Sequence, residues 1–196
     1  MTPEDFKQKW TSIEDNLNPI SAERLRGLGL CCETIEFLVN SGLPDSASPF
    51  LSFSENSEDL FDGVHKLNKV YDILEPEFEK YVVIGSCSDG DPIVVNTKQG
   101  DRIEFLDHED YFSSRIFNSD ISRLAKCLLA YRNFVDTILE ENGEDAYLDS
   151  DFTDDQFEKL KDEIQLADSK AMENGAFWAI QLQMDLDLRE ETQNNK

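Results

Sequence analysis

The sequence predicts an α+β fold: a single domain, residues 1–196, with a twisted, mainly antiparallel sheet built on a central meander and flanked by N- and C-terminal helices. Three observations predict it. Short β-branched and aromatic runs at 81–84, 93–96 and 102–106 follow one another with only turn residues between them. No helical pattern separates them, which argues against a parallel nucleotide-binding sheet. The longest amphipathic helix pattern starts only afterwards, at Asn118-Ser119-Asp120. The expected limits are a helical part over about 1–44, a sheet over about 50–117, and helices over about 119–190 with an acidic connection at 140–158.

Thr2-Pro3-Glu4-Asp5 is a helix start, because Thr caps, Pro suits the first turn and acids face the positive helix end. Phe6, Trp10 and Ile13 give this helix one apolar stripe, and Asn18-Pro19 interrupts it. A short helix starts at Ser21, and Gly27 and Gly29 loosen the chain after it. A third helix over Cys32–Val39 stops at Asn40-Ser41-Gly42-Leu43-Pro44. Phe50–Phe53 reads as a short strand, 54–63 as an acidic loop, and Val64–Leu67 and Val70–Leu74 as weak patterns.

The meander follows. Its first connection is Gly85-Ser86-Cys87-Ser88-Asp89-Gly90-Asp91-Pro92. Its second, Thr97–Asp101, is short enough for a hairpin with Gly100 at positive φ. Tyr111–Phe117 is the fourth strand. Ile121, Leu124, Ala125, Leu128, Tyr131, Val135 and Ile138 then keep helical spacing. Nine carboxylates and no Lys or Arg occupy 140–158, a solvated acidic connection. Phe157, Leu160, Ile164 and Ala167 mark the next helix. The last helix follows Asn174-Gly175, with Phe177, Trp178, Ile180, Leu182, Met184, Leu186 and Leu188, and REETQNNK closes the chain as a polar tail.

Composition narrows the function. Hydrophobic residues make up 39% and aromatics 10%, enough for a core. Asp plus Glu total 42 against 18 Lys plus Arg, a formal net charge of −24. That field repels phosphate backbones and anionic membranes, so neither nucleic acid nor membrane is an expected partner. Cations and basic proteins are the favoured ones, although acidity also serves solubility alone. The N-terminus MTPEDFKQKW lacks an apolar signal region, and no run approaches a membrane span; the expectation is a cytoplasmic protein. Cys31, Cys32, Cys87 and Cys127 show no disulfide or C-x-x-C spacing and read as reduced thiols.

The first meander connection invites catalytic readings, and each lacks a part. Gly85 and Gly90 have phosphate-loop spacing, but Asp91-Pro92 stands in place of Lys-Ser/Thr and a strand follows instead of a helix. Gly85-Ser86-Cys87-Ser88-Asp89 lacks the second glycine of a nucleophile elbow. A Cys87–His108 pair beside the meander is conceivable, but a thiol at a strand end is ordinarily a packing residue. The two histidines and four cysteines lack zinc spacing. Asp149–Asp154 opens like a calcium loop and then fails at Asp154 and Leu160, where Gly and Glu are required. Abundant acids make paired-carboxylate chemistry uninformative. No cofactor is expected.

Phe37-Leu38 with Gly42-Leu43-Pro44, then Tyr81-Val82-Val83-Ile84-Gly85, Asp89-Gly90 and Ile93-Val94-Val95, form an ordered series. Gly100 and Ile103, Asn118-Ser119 and Trp178 extend it. In this order the chain, over about 30–185, resembles the SUKH superfamily (SMI1/KNR4-like proteins), with the SUKH-4 immunity-protein branch nearest. Asn96 departs from the pattern, standing where an acidic residue is expected, and the acidic connection looks longer than typical. The resemblance implies an α+β domain without catalytic residues. Bacterial members are immunity proteins that bind and neutralise toxins, often nucleases. Eukaryotic relatives are regulatory interaction modules.

A nuclease domain must hold phosphates and is commonly basic, so an acidic protein is suited to meet it. The reading is therefore a non-enzymatic immunity protein that binds a basic, nuclease-like toxin domain. The alternatives are a regulatory scaffold with an endogenous partner, and an enzyme using the Asp107–Asp110 region. Candidate partner contacts are Asp89, Asp91, Asp107, Glu109 and Asp110, with Glu144, Asp145, Asp149, Asp151, Asp154 and Asp155. Any one of them serves equally as a solvated surface acid.

Overall fold

A computed structural model describes residues 1–10, 16–72 and 75–194. Helix α1 (Pro3–Trp10) starts as expected: the Asp5 amide donates to Thr2 Oγ1 at 3.1 Å. Phe6 and Trp10 are buried, and Ile13 lies outside the described residues. Strand β1 (Leu17–Asn18) occupies the interruption at Asn18-Pro19, and α2 (Ala22–Leu25) and α3 (Cys32–Asn40) follow. Phe6 and Phe37, 5.6 Å apart between ring centroids, join α1 to α3.

Strand β2 (Leu43–Pro44) pairs with β1 immediately after Gly42. Gly42 has φ 69°, and a Cβ there would lie 2.0 Å from the Asn18 carbonyl oxygen. Both facts demand glycine, so this turn fixes how the N-terminal helices meet the sheet.

The main sheet is antiparallel throughout. Its strands are β3 (Ser46–Ala47), β4 (Leu51–Phe53), β5 (His65–Lys66), β6 (Tyr81–Ser86), β7 (Pro92–Asn96), β8 (Arg102–Asp107) and β9 (Ser113–Asn118). The order is β3-β4-β6-β7-β8-β9, with β5 also pairing on β6. The expected meander is thus its centre. Between β5 and β6 lie α4 (Leu67–Val70) and a 3₁₀ turn (Pro76–Lys80), where the sequence offered only weak patterns; Ile73 and Leu74 lie outside the described residues.

Two strand limits differ from expectation for one reason. Phe50 (φ 57°), Tyr111 (φ 49°) and Phe112 (φ 55°) are left-handed, so β4 starts at Leu51 and β9 at Ser113. Gly85 marks a break in register between β6 and β7, and a Cβ there would meet the Ser52 carbonyl oxygen at 2.3 Å. Glycine at this position lets β4 approach.

Both faces of the sheet are covered, which explains four consecutive buried residues, Tyr81–Ile84, where a one-sided strand alternates. Val82, Ile84, Ile93, Val95, Ile103 and Phe117 join the main core with the long helices. Tyr81, Val83, Val94 and Leu106 face a smaller cluster closed by Leu67, Phe78 and Phe112.

Helix α5 (Ile121–Asn142) is capped by Asp120, whose Oδ1 accepts from the Arg123 amide at 2.9 Å. Helix α6 (Asp154–Ala167) begins with a capping box between Thr153 and Gln156. The stretch 140–158 is therefore largely helical at its two ends, and the connection proper is 143–153. It is also not solvated throughout, because Ala146 and Phe152 are buried and anchor it. Helix α7 (Phe177–Asn194) incorporates most of the expected polar tail, with only 195–196 outside the described residues. Arg189 holds it there, donating to the Phe152 carbonyl at 3.2 Å and to Asp154 at 2.8 Å, with its guanidinium 4.8 Å from the Phe152 ring. Among the described residues, no helix is long and apolar enough to cross a membrane.

Candidate protein-binding site

The β6–β7 turn and the β8–β9 turn lie at the same end of the sheet, as Ser86 pairs with Pro92 and Asp107 with Ser113. Asp91 joins them. Its Oδ1 accepts from the His108 amide at 2.9 Å and pairs with His108 Nδ1 at 2.7 Å. That hydrogen bond raises the imidazole pKa above its ordinary value and so favours the charged form. Asp107 Oδ1 accepts from the amides of Glu109 and Asp110, each at 3.1 Å. Asp91 and Asp107 are therefore turn-forming residues. Asp89, Glu109 and Asp110 remain as exposed acids on the same turns.

The second group sits on the α5–α6 connection and the start of α6. Glu144, Asp145, Asp149, Asp151, Asp154 and Asp155 are all exposed, and Asp154 is the one bound to Arg189. Of the apolar residues among them, Ala146 and Phe152 turn inward, whereas Leu148 is 74% exposed. Ser88 and Tyr147 line a common cleft of about 730 Å³, together with Ser46, Phe50 and Asp136. None of the candidate acids lines this cleft; Asp89 adjoins Ser88 in sequence, Asp145 stands two residues before Tyr147, and Asp155 lines a separate surface depression with Lys159 and Glu163. Phe50 and Asp136 had no signal in the sequence. Phe50 reads as a strand residue and Asp136 as one acid among many.

The conceived Cys87–His108 pair is replaced by Asp91–His108. Burial pushes the Cys87 thiol up to about 12, which keeps it protonated and un-nucleophilic at neutral pH. Cys127 is likewise pushed to about 12 by burial. All four cysteines are free. Among the described residues, no group of three or more His, Cys, Asp or Glu is placed to hold a metal ion.

The sequence signatures resolve into structure. Trp178 Nε1 donates to Asn118 Oδ1 at 3.0 Å, and Asn118 Nδ2 donates to Asp168 at 3.2 Å. Asp168 also accepts from the Ser119 amide at 2.6 Å and the Ser119 hydroxyl at 2.8 Å. This buried network ties β9, α7 and the α6–α7 connection together. At the departing position, Asn96 donates to Glu104 Oε1 at 2.8 Å. Glu104 is fully buried and bound to Arg102 at 2.6 Å. An acid at 96 would face that carboxylate.

Fold and surface together define an acidic α+β domain whose motif residues build the scaffold while its turns and connections carry the exposed charge. A model of the SUKH-4 immunity protein family matches residues 14–184. The chain belongs to the SUKH-4 immunity protein family. No curated protein and no solved structure matches it.

Proposed function

We propose that this protein acts in the cytoplasm by binding a basic, nuclease-like toxin domain directly, neutralising it without catalysis. Family membership supports the immunity role. The observation that carries the basic partner is the exposed charge: of a net −24, acids stand exposed both on the turns at one end of the sheet and on the α5–α6 connection. A nuclease must hold phosphate oxygens, so its working face is cationic. An acidic protein is attracted to that face from a distance and can occupy it in place of substrate.

The test is association kinetics with candidate nuclease toxin domains, taken from genes neighbouring this one where these encode such domains, measured from about 0.1 M to about 1 M salt, over which the screening length falls from about 10 Å to about 3 Å. Association should slow by about tenfold or more, with a smaller change in dissociation. An on-rate indifferent to salt would remove the electrostatic reading. Failure to bind at any salt would remove the direct-binding reading itself.

A further inference from the structure

A second cleft, of about 450 Å³, opens where β4 pairs with β6. Val70, Tyr71 and Val83 line it and place it on the side of the smaller cluster, away from the long helices. Its charged lining is Asp45, Glu55 and Asp62, all exposed, and among the described residues no Lys or Arg lines it. None of these three carboxylates is in an ion pair with a described residue. Phe61, 78% exposed, and the half-buried Tyr71 add two aromatic rings. Both are held in place. The Glu55 amide donates to the Asp62 carbonyl at 2.6 Å and the Phe61 amide to Asp59 Oδ1 at 2.8 Å, which close the loop carrying Phe61. Tyr71 rests edge-on against Phe112, 5.0 Å between centroids, and donates to the Gly90 carbonyl at 3.3 Å. Ser54 supplies an independent sign of a ligand. Leu51 and Phe53 point into the main core, so strand alternation turns Ser54 to the cleft's face. It lines the cleft at 7% exposure, and its Oγ is buried with no hydrogen-bond partner among the described residues. A buried hydroxyl left unpaired costs the free domain stability, and an incoming polar group removes that cost.

We infer that this cleft receives an arginine-bearing loop of the basic toxin domain, met by the carboxylates of Asp45, Glu55 and Asp62, the rings of Phe61 and Tyr71 and the hydroxyl of Ser54. The inference rests on the toxin-binding reading above and names its contact surface. Three carboxylates without a cation of their own leave the cleft's charge uncompensated, which is what a positive side chain answers. They are not grouped to hold a metal ion, so the cation that meets them is one long enough to lie across the cleft. Arginine fits better than lysine, because a planar guanidinium uses ring faces, carboxylates and a hydroxyl together. A toxin surface that holds phosphates carries such side chains. The cleft also continues into the acidic turn end of the sheet: Gly90 lines it and stands between Asp89 and Asp91. Folding does not call for an exposed Phe61, and a ring fixed before the partner arrives loses little freedom on binding.

The experiment has two arms. The first measures binding of the nuclease toxin domain to the parent chain and to D62K, F61S and D162K. Asp62 and Phe61 are exposed, so neither change disturbs the core. Asp162 is exposed on α6, is not among the residues lining the cleft, and D162K alters the net charge by as much as D62K does, which makes it the control. D62K and F61S should each weaken binding by about tenfold or more, F51-type losses of a ring appearing mainly as faster dissociation, while D162K stays within about threefold. The second arm needs no toxin: a short peptide with one arginine among glycines is titrated into the parent chain and into S54A, and amide shifts are followed by NMR. The shifts should concentrate at 54–62 and 85–90, and S54A should weaken them by about threefold or more while leaving the free chain at least as stable to heat. Equal losses in D62K and D162K with parent-like F61S, or peptide shifts spread over the acidic surface, overturn the cleft and leave the immunity reading standing. A parent chain that binds no nuclease toxin domain overturns both.

Discussion

Asp185 is a buried carboxylate whose ionisation opposes folding. It sits on α7 at 9% exposure, accepting from the Tyr131 hydroxyl at 2.9 Å and from Gln181 Nε2 at 2.8 Å. The two hydrogen bonds favour the carboxylate, but desolvation outweighs them and lifts its pKa from 3.8 to about 6. A folded-state pKa above the unfolded one means that the folded chain binds the proton more tightly. Ionised Asp185 therefore destabilises the fold: the effect is absent below the unfolded pKa, grows as pH rises from about 4 to about 6, and is complete above it. A rise from 3.8 to about 6 corresponds to about 3 kcal/mol when complete, with about half of that present near pH 5.

D185N removes the charge and keeps an acceptor for Tyr131, and the Gln181 amide can turn to present its oxygen. D185N should be more stable than the parent by about 1–3 kcal/mol near pH 8 and within about 0.5 kcal/mol of it near pH 4. Urea unfolding followed by tryptophan fluorescence at several pH values reads this directly. A D185N gain that is the same at both ends of the range, or a loss near pH 8, would refute the reasoning. The first would mean that the charge of Asp185 plays no part, and the second that its hydrogen bonds outweigh desolvation.

Two further outcomes follow from the scaffold. G85A should lose about 2–4 kcal/mol in urea unfolding, because its Cβ meets backbone at Ser52 and not a yielding side chain; a loss under about 0.5 kcal/mol would show that β4 moves away freely. N96D should lose about 2–4 kcal/mol near pH 8 and less near pH 4, since it replaces the donor on buried Glu104 with a second carboxylate; equal losses at both pH values would assign the effect to packing.

The parts legible in the sequence were those set by short-range physics. Asp120 announced α5 and bonds the Arg123 amide as a cap does. The β-branched runs announced the meander, and because their partners are the next strands in the chain, topology needed no long-range information. What stayed illegible depends on distant contacts. The connection near 143–153 reads as solvated because its acids outnumber its anchors, yet Phe152 is buried against α5, α6 and α7 through Phe134, Phe157 and Arg189. Residues 189–194 read as tail because their composition is polar, and Arg189 reaches Asp154 across 35 positions. Phe50 reads as strand because no pattern announces a left-handed aromatic.

The same division explains why family and partner separate so sharply here. The residues that carry the resemblance are those that the backbone cannot replace: Gly42 against Asn18, Gly85 against Ser52, and Asn118 with Trp178 around Asp168. Each is tied to its own chain, so none is free to choose a toxin. Glu109, Asp110, Glu144, Asp145, Asp149 and Asp151 stand exposed and outside that series, since folding asks of them only solubility or a turn. A motif search therefore finds the scaffold and is silent about the contact face. It follows that the contact face should be sought among residues the scaffold does not need, and the exposed turn acids Asp89, Glu109 and Asp110 are such residues.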